Sequence, residues 1–403
     1  MIGKKYQNLF YTAILFAGIL FFWTSEVNAG IVAAYPKFPD TPLSSTYTMT
    51  VDGQNVPVST YQGHSFVWFA FSGTANVKVT VNATVSSHQL SPRSYNIPTS
   101  VSGSDISFTL NQPRKLVLRK VNGMSEELFI FADAPESGVP TLGSSGVFNG
   151  ASSVQSAIDS ASSYPGGGVA YLPAGSYSGA TMKSNVNLYL APGAVLRGLT
   201  VRSTTNSKIT GRGYYCCAKM QVYYNTNFHI HDIVIVASPT TALRTGFMLN
   251  SGVHNIKIIT GRTFDGMDTE GVFNYIIEDS FIWSGDDNIA VGSGAGDVDF
   301  RKPSNTDGLI IRNNVLKHTA TGRNVALFGG HIGHQYVRNV LVENNNGISS
   351  ETPVEIQAGN GAPLLSGFTI RNNHFEDIRG KYLGIHSMDF FAWGGCGNGS
   401  ISH

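Results

Sequence analysis

A chain of 403 residues with 42% hydrophobic content is long enough for one large domain and a smaller one. Only 13% of residues are charged and the formal net charge is +1, so no basic stripe can neutralise phosphates and a nucleic-acid binder is excluded. The 45 glycines, with frequent Asn and Ser, point to short strands separated by turns.

The first residues combine a positive start, "MIGKK", an apolar run, "LFYTAILFAGILFFW", and small residues, "VNA", before Gly30. This pattern predicts a secretory signal peptide over residues 1–29, and hence an extracellular or periplasmic protein. An uncleaved anchor would lead to the same compartment. No later apolar run is long enough to span a bilayer, so no membrane partner is expected after cleavage. Cys216, Cys217 and Cys396 are the three cysteines. Two are adjacent and the count is odd, which is no disulfide framework, and no metal-ligand spacing accompanies them. They are expected as buried free thiols.

Residues 30–136 alternate or run apolar between Gly, Asn and Pro turns, as in "TYTMTVDGQNVPVSTY" and "HSFVWFAFSG", which predicts a small antiparallel β-sandwich. Residues 137–150 are linker-like. From residue 151 the character changes. Val154, Ala157, Ile158 and Ala161 fall at helical spacing and predict a short helix that caps the repeats on its C-terminal side. Related segments then recur from Asn227, Asn255, Asn274, Gly308, Asn339 and Gly367, with spacings of 28, 19, 34, 31 and 28 residues. Each opens on Asn or Gly and alternates apolar with polar residues. Same-phase repeats of this length predict a parallel β-helix over residues 151–403; a second antiparallel sandwich would show hairpin pairs instead.

The segment "TFDGMDTEGVFNYIIEDSFIWSGDDNIAVGSG", residues 263–294, is rich in acids without compensating cations. Rungs of such a solenoid lie about 4.8 Å apart, so residues one coil apart stack on one face. Asp265 and the Asp286–Asp287 pair each come directly after the strand of their unit and should converge, whereas Asp268, Glu270, Glu278 and Asp279 are expected to be solvated. Three clustered carboxylates must retain a proton near neutral pH. Glycoside hydrolysis needs that arrangement, a protonated acid beside an ionised base. An Asp-lined turn stack or a Ca²⁺ site is the alternative.

The Asp-Gly pair at 265, with "GDDNIAVGSG" one coil later, resembles the catalytic core of polygalacturonases, and "SNVNLYLAPGAVLRG" is similar to their early coil. Dextranases and isopullulanases, a sister group, share the three acids and also carry a β-sandwich ahead of the helix. The resemblance implies an all-β fold with a right-handed, single-stranded parallel β-helix of pectin-lyase type. It also implies an inverting, secreted glycoside hydrolase, expected to act on a polysaccharide as a monomer and without cofactor or metal. By position, Asp286 matches the general acid, and Asp265 and Asp287 match the pair that activates water. Asn305, Thr306, Asp307 and Gly308 spell the family's Asn-Thr-Asp-Gly motif but come after the Asp pair, so Asp307 is read as a turn residue.

Two family signatures are missing. Arg323 stands where a His is expected, with His318 and His331 nearby. Glu355 and Gln357 replace the Arg and Lys that grip an anionic sugar, which favours a neutral glucan over pectin. Arg323, Glu355, Gln357 and Trp283 are the candidate substrate contacts, with Tyr382 and Trp393 as further aromatic candidates. A Ca²⁺-dependent lyase using Arg323 as base, and a non-catalytic glycan-binding β-helix, are the rival functions. His331 and His334 are read as a loop pair, not a metal site. Asn82 and Asn398 lie in glycosylation sequons. The repeats stop early compared with related β-helices, so a shortened last rung is expected.

Overall fold

The computed structural model describes residues 30, 33–260, 263–292, 305–319, 322–328, 336–357, 364–380, 388–391 and 400–401. The N-terminal unit is a two-sheet sandwich. One sheet runs in the order Ala33–Ala34, His64–Ala70, Leu128–Asp133, Arg114–Arg119, Gln89–Ser91, with Ser59–Tyr61 also on His64–Ala70. The other is Gln54–Val56, Tyr47–Val51, Ala75–Val81, Asp105–Leu110, Thr99–Ser102. Alternation explains the second sheet: Val77, Val79 and Val81 point inward and are buried, while Asn76 and Lys78 face water. The expected antiparallel sandwich needs one amendment, because His64–Ala70 and Leu128–Asp133 pair in parallel.

The solenoid holds 25 strands among the described residues, and it starts at Val147–Asn149, inside the stretch read as linker. Helix Val154–Ser163 comes next, started by Ser153, whose side chain accepts from the Ser156 N–H. Its buried residues are the four given by the periodicity, and they close one end of the solenoid core. Strands then pair in parallel with the strand one coil on, making three stacked faces. The first contains Thr226–His231, residues 249–254 and 273–278, Thr306–Arg312, Tyr336–Glu343 and Leu364–Arg371. The second contains Val234–Val236, Lys257–Ile259, Phe281–Ser284, Val315–His318 and Asn346–Ile348. The third contains residues 243–246 and 267–270, Ile289–Gly292, Arg323–Phe328 and Thr352–Gln357.

Period-two patterning builds the interior. Ile230, Val253, Ile277, Ile311 and Val342 are in register on the first face and all buried. The residues that open the sequence repeats have a conformational reason to be Asn or Gly. Asn227, Asn274, Gly308, Asn339 and Gly367 all lie at positive φ, at the turn entering the first face, where a larger side chain would be strained. Asn255 is also at positive φ but belongs to the next turn, entering the second face. The true partner of Asn274 is Asn250, whose Oδ1 accepts from Asn274 Nδ2 at 3.0 Å, which corrects the uneven spacings read around Asn255.

The sandwich is packed onto the outer side of the second face. Phe66, Trp68, Phe129 and Phe131 form one buried cluster with Tyr214, Val234, Ile259, Phe281 and Trp283. A buried ionic group lies in the same interface: Asp133 binds Lys257, and Arg212 at 3.1 Å. Burial opposes the charge on Asp133, but Lys257, Lys115 and Arg212 more than offset it and hold the carboxyl down at about 2. Burial also pulls Lys257 down to about 7, against the attraction of Asp133. The thiols differ from expectation: Cys216 is buried and Cys217 exposed, both free. Cys396, like residues 1–29, lies outside the described residues.

Candidate active site

The turns from the second to the third face carry the acids on successive coils, and backbone hydrogen bonds hold these turns in register. Gly266 N donates to the Asp287 carbonyl (2.8 Å), and Asn288 N to the Arg323 carbonyl (2.9 Å). The buried Asn288 bonds Ser284 Oγ (2.8 Å) and accepts from the buried Asn324 on the next coil (2.8 Å). Gly is required after Asp265: a Cβ at Gly266 would lie 2.3 Å from Ile282 Cγ2 and 2.7 Å from the Asn288 oxygen.

Carboxylate oxygens of Asp265, Asp286 and Asp287 all lie within 4.8 Å of one another, so the three acids converge as the coil count predicts. They differ in environment. Asp286 is exposed, Asp265 half-buried and Asp287 buried. Asp265 Oδ1 accepts the backbone N–H of Asp287 (2.9 Å), and Asp287 Oδ1 accepts that of Arg323 (3.1 Å). Burial pushes Asp265 up to about 8, reinforced by the charge of Asp268, by a hydrogen bond between the two, and by Asp287. Burial raises Asp287 to about 6, with the Arg323 guanidinium pulling down and Asp286 pushing up. Near neutral pH the inner acids therefore retain a proton, which burial favours on Asp265 more strongly than on Asp287.

Several neighbours escaped the sequence reading. Asp268 and Glu270, expected in solvent, are buried on the third face; Asp268 is clamped by Arg244 at 2.5 and 2.7 Å. Glu278 is likewise paired, with Arg312 and His254, whereas Asp279 is exposed as expected. The signal for Asp268 was its register with Arg244, visible only once the coil length is known. His318 is buried, and its Nε2 bonds the Asp286 carbonyl oxygen. Burial holds this imidazole down at about 4, so the ring is neutral and donates. Gly322 makes room for it, since a Cβ there would lie 2.3 Å from His318 Nε2.

The proposed sugar contacts divide. Arg323 is near the acids, 3.3 Å from Asp287, but its charge is shared with Asp287 and Glu355. Glu355 is buried against Arg323 and does not face open solvent. Trp283 is fully buried; its ring packs on His64 (4.6 Å) and Phe129 (5.4 Å) of the sandwich, so it braces the strand that leads into the Asp286 turn and cannot stack on a sugar. The strand containing Gln357 is described but not its side chain, and Tyr382, Trp393, His331 and His334 lie outside the described residues. Asp307 is the second residue of strand Thr306–Arg312, next to the positive-φ Gly308 of the turn, and it binds Arg338 (2.8 Å) and Asn339 (2.7 Å).

No protein-family model and no curated protein matches the chain by sequence. Solved structures do match in shape. Dex49A from Penicillium minioluteum aligns with 92% of this chain and 96% of its own at 14% identity, with a TM-score of 0.51. A polygalacturonase from Erwinia carotovora ssp. carotovora covers 61% of this chain and 81% of its own, at 18% identity and a TM-score of 0.49. An exopolygalacturonase from Yersinia enterocolitica covers 93% and 80%, at 14% identity and 0.48. What is shared is the fold. The Dex49A match extends it over sandwich and solenoid together.

Proposed function

We propose that the protein is a secreted glycoside hydrolase that cleaves a neutral polysaccharide with inversion. The observation that carries this reading is the three-acid turn, in which a protonated and an ionised carboxyl lie side by side beneath an exposed third one. Asp286, open to solvent, is in its protonated form the donor to the leaving glycosidic oxygen, the role its position in the polygalacturonase-like motif implies, and it regains through solvent the proton that Asp287 takes from water. Asp287 takes a proton from water as that water attacks the anomeric carbon, and Asp265 orients the water through its own proton and oxygens. The base needs Asp287 ionised, so activity falls as pH drops through about 6. His318 acts at one remove, fixing the backbone that carries Asp286.

A water-bridged acid–base pair usually keeps its carboxyls about 6.5–9.5 Å apart, wider than this cluster. Inversion is therefore carried by the resemblance of the three-acid motif to polygalacturonases and dextranases, and not by the spacing. Neutral substrate is favoured by charge: beside the cluster, among the described residues, Arg244 and Arg323 are each already held by carboxylates. The same pairing counts against a lyase, because burial opposes the charge on Arg323 but Glu355 and Asp287 raise its pKa, leaving it unable to accept a proton.

The test is reducing-sugar release from dextran, pullulan and polygalacturonate by the wild type and by Asp286→Asn, with the anomer of the first product read by proton NMR. Release from a neutral glucan, lowered about 10²–10⁴-fold in the variant, is expected. Product that keeps its anomeric configuration would refute inversion, and release from polygalacturonate alone would refute the neutral substrate. Glycan binding without release would leave a binding module.

A further inference from the structure

A second cluster lies away from the acids, on the outer side of the first face. His229 and His231, two apart on strand Thr226–His231, point the same way, and His231 is in register with His254 on the next coil. Each is half-buried, and one ring nitrogen from each lies within 4.8 Å of the others. The His231 and His254 rings are stacked, 9° apart with centroids at 4.4 Å, so one ring must turn before both in-plane lone pairs point at one ion. Next to His229, in register, is Gly252, so no side chain fills the space between the rings.

The surrounding hydrogen bonds favour one tautomer for each of two of these rings. His254 Nδ1 is 2.7 Å from Glu278 Oε1, so Nδ1–H donates there, and in the neutral tautomer Nε2 is left as the metal-facing nitrogen. Asn227 Nδ2 donates to Asn206 Oδ1 (2.9 Å), which turns Asn227 Oδ1 toward His229 Nε2 at 3.3 Å. That bond requires the His229 proton on Nε2, leaving a lone pair on Nδ1. His229 Nδ1 and His254 Nε2 face each other at 3.1 Å. With both rings neutral two lone pairs at that distance repel, and either a shared proton or a metal cation between the rings relieves this. Two nitrogens on one tetrahedral Zn²⁺, each at about 2.0–2.1 Å, are about 3.3–3.4 Å apart.

We propose that His229, His231 and His254 form a binding site for a borderline transition-metal dication such as Zn²⁺, bridging two adjacent coils, with Glu278 as the carboxylate that orients His254. Three imidazoles and an outer carboxylate match the ligand chemistry of such ions and not that of Ca²⁺, which takes oxygen. Glu278 is itself held by Arg312 at 2.7 Å, which fixes its direction. Lys208, in register with His229 on the preceding coil, is the cation that a bound ion must tolerate. The site is independent of the acid cluster and of the catalytic reading.

The full chain is titrated with Zn²⁺ by calorimetry, and with Co²⁺ by visible absorption. One Zn²⁺ per chain and a Co²⁺ ligand-field band without thiolate charge transfer are expected; the second point separates this site from Cys216 and Cys217. His254→Ala should abolish uptake, and Glu278→Gln should weaken it by about 10–100-fold. Both variants alter an outward face, and circular dichroism checks that each is folded. No uptake by the wild type would overturn the proposal and leave a shared proton between the rings. Uptake unchanged in His254→Ala would place the metal elsewhere and overturn it equally.

Discussion

Asp265→Asn tests the electrostatics of the acid cluster without relying on any substrate. In the folded chain this carboxyl is raised from its ordinary value of 3.8 to about 8, chiefly by burial. The folded protein therefore binds an extra proton between about pH 4 and pH 8, and stability falls as pH rises through that window. Such a displacement corresponds to a ceiling of about 5–6 kcal/mol. Solvent reaching this half-buried group and proton sharing with Asp268 and Asp287 reduce it to about 1–3 kcal/mol. The amide mimics the protonated acid: its oxygen can still accept the Asp287 N–H and its NH₂ can donate toward Asp268. Urea denaturation at about pH 4.5 and about pH 8.5 gives the readout. The variant should match the wild type at the lower pH and be more stable at the higher, while losing any hydrolytic activity. A difference independent of pH, or a variant destabilised at high pH, would refute the reasoning.

Other consequences are equally direct. Arg323→Gln removes the cation shared by Asp287 and buried Glu355; it should cost about 2–4 kcal/mol, less than a fully buried pair because the arginine side chain is 31% exposed. In the same variant the acid limb of the pH–rate profile, set by Asp287 at about 6, should move upward, since Arg323 is the group that pulls that carboxyl down. Trp283→Ala should lower stability by about 3–5 kcal/mol in thermal or urea melts and leave the glycan affinity of the folded fraction unchanged, because the ring faces the sandwich. Asp133→Asn leaves Lys257 without its carboxylate in the domain interface, while Arg212 keeps Asp232, and should cost about 3–5 kcal/mol, read as a shifted urea midpoint.

Much of this architecture was legible in the chain. Asn227, Asn274, Gly308, Asn339 and Gly367 announce the repeat because positive φ at one turn restricts the residue type, and that restriction is local. Asn255 misled for the same reason: a neighbouring turn imposes the same restriction, and local pattern does not tell the two turns apart. The helix Val154–Ser163 and the meeting of Asp265 with Asp286 and Asp287 could be read from periodicity and coil length.

Partners across coils were a different matter. Asp268 with Arg244, Arg323 with Glu355, and the three histidines depend on register between coils whose lengths vary with their loops. Trp283 shows the remaining limit. It points out of the solenoid core, but an outward side chain on a solenoid meets either water or another domain. Alternation thus determined which side chains leave the core. What they meet was decided by the sandwich docking on the second face, because burial there depends on a surface more than 100 residues away in the chain.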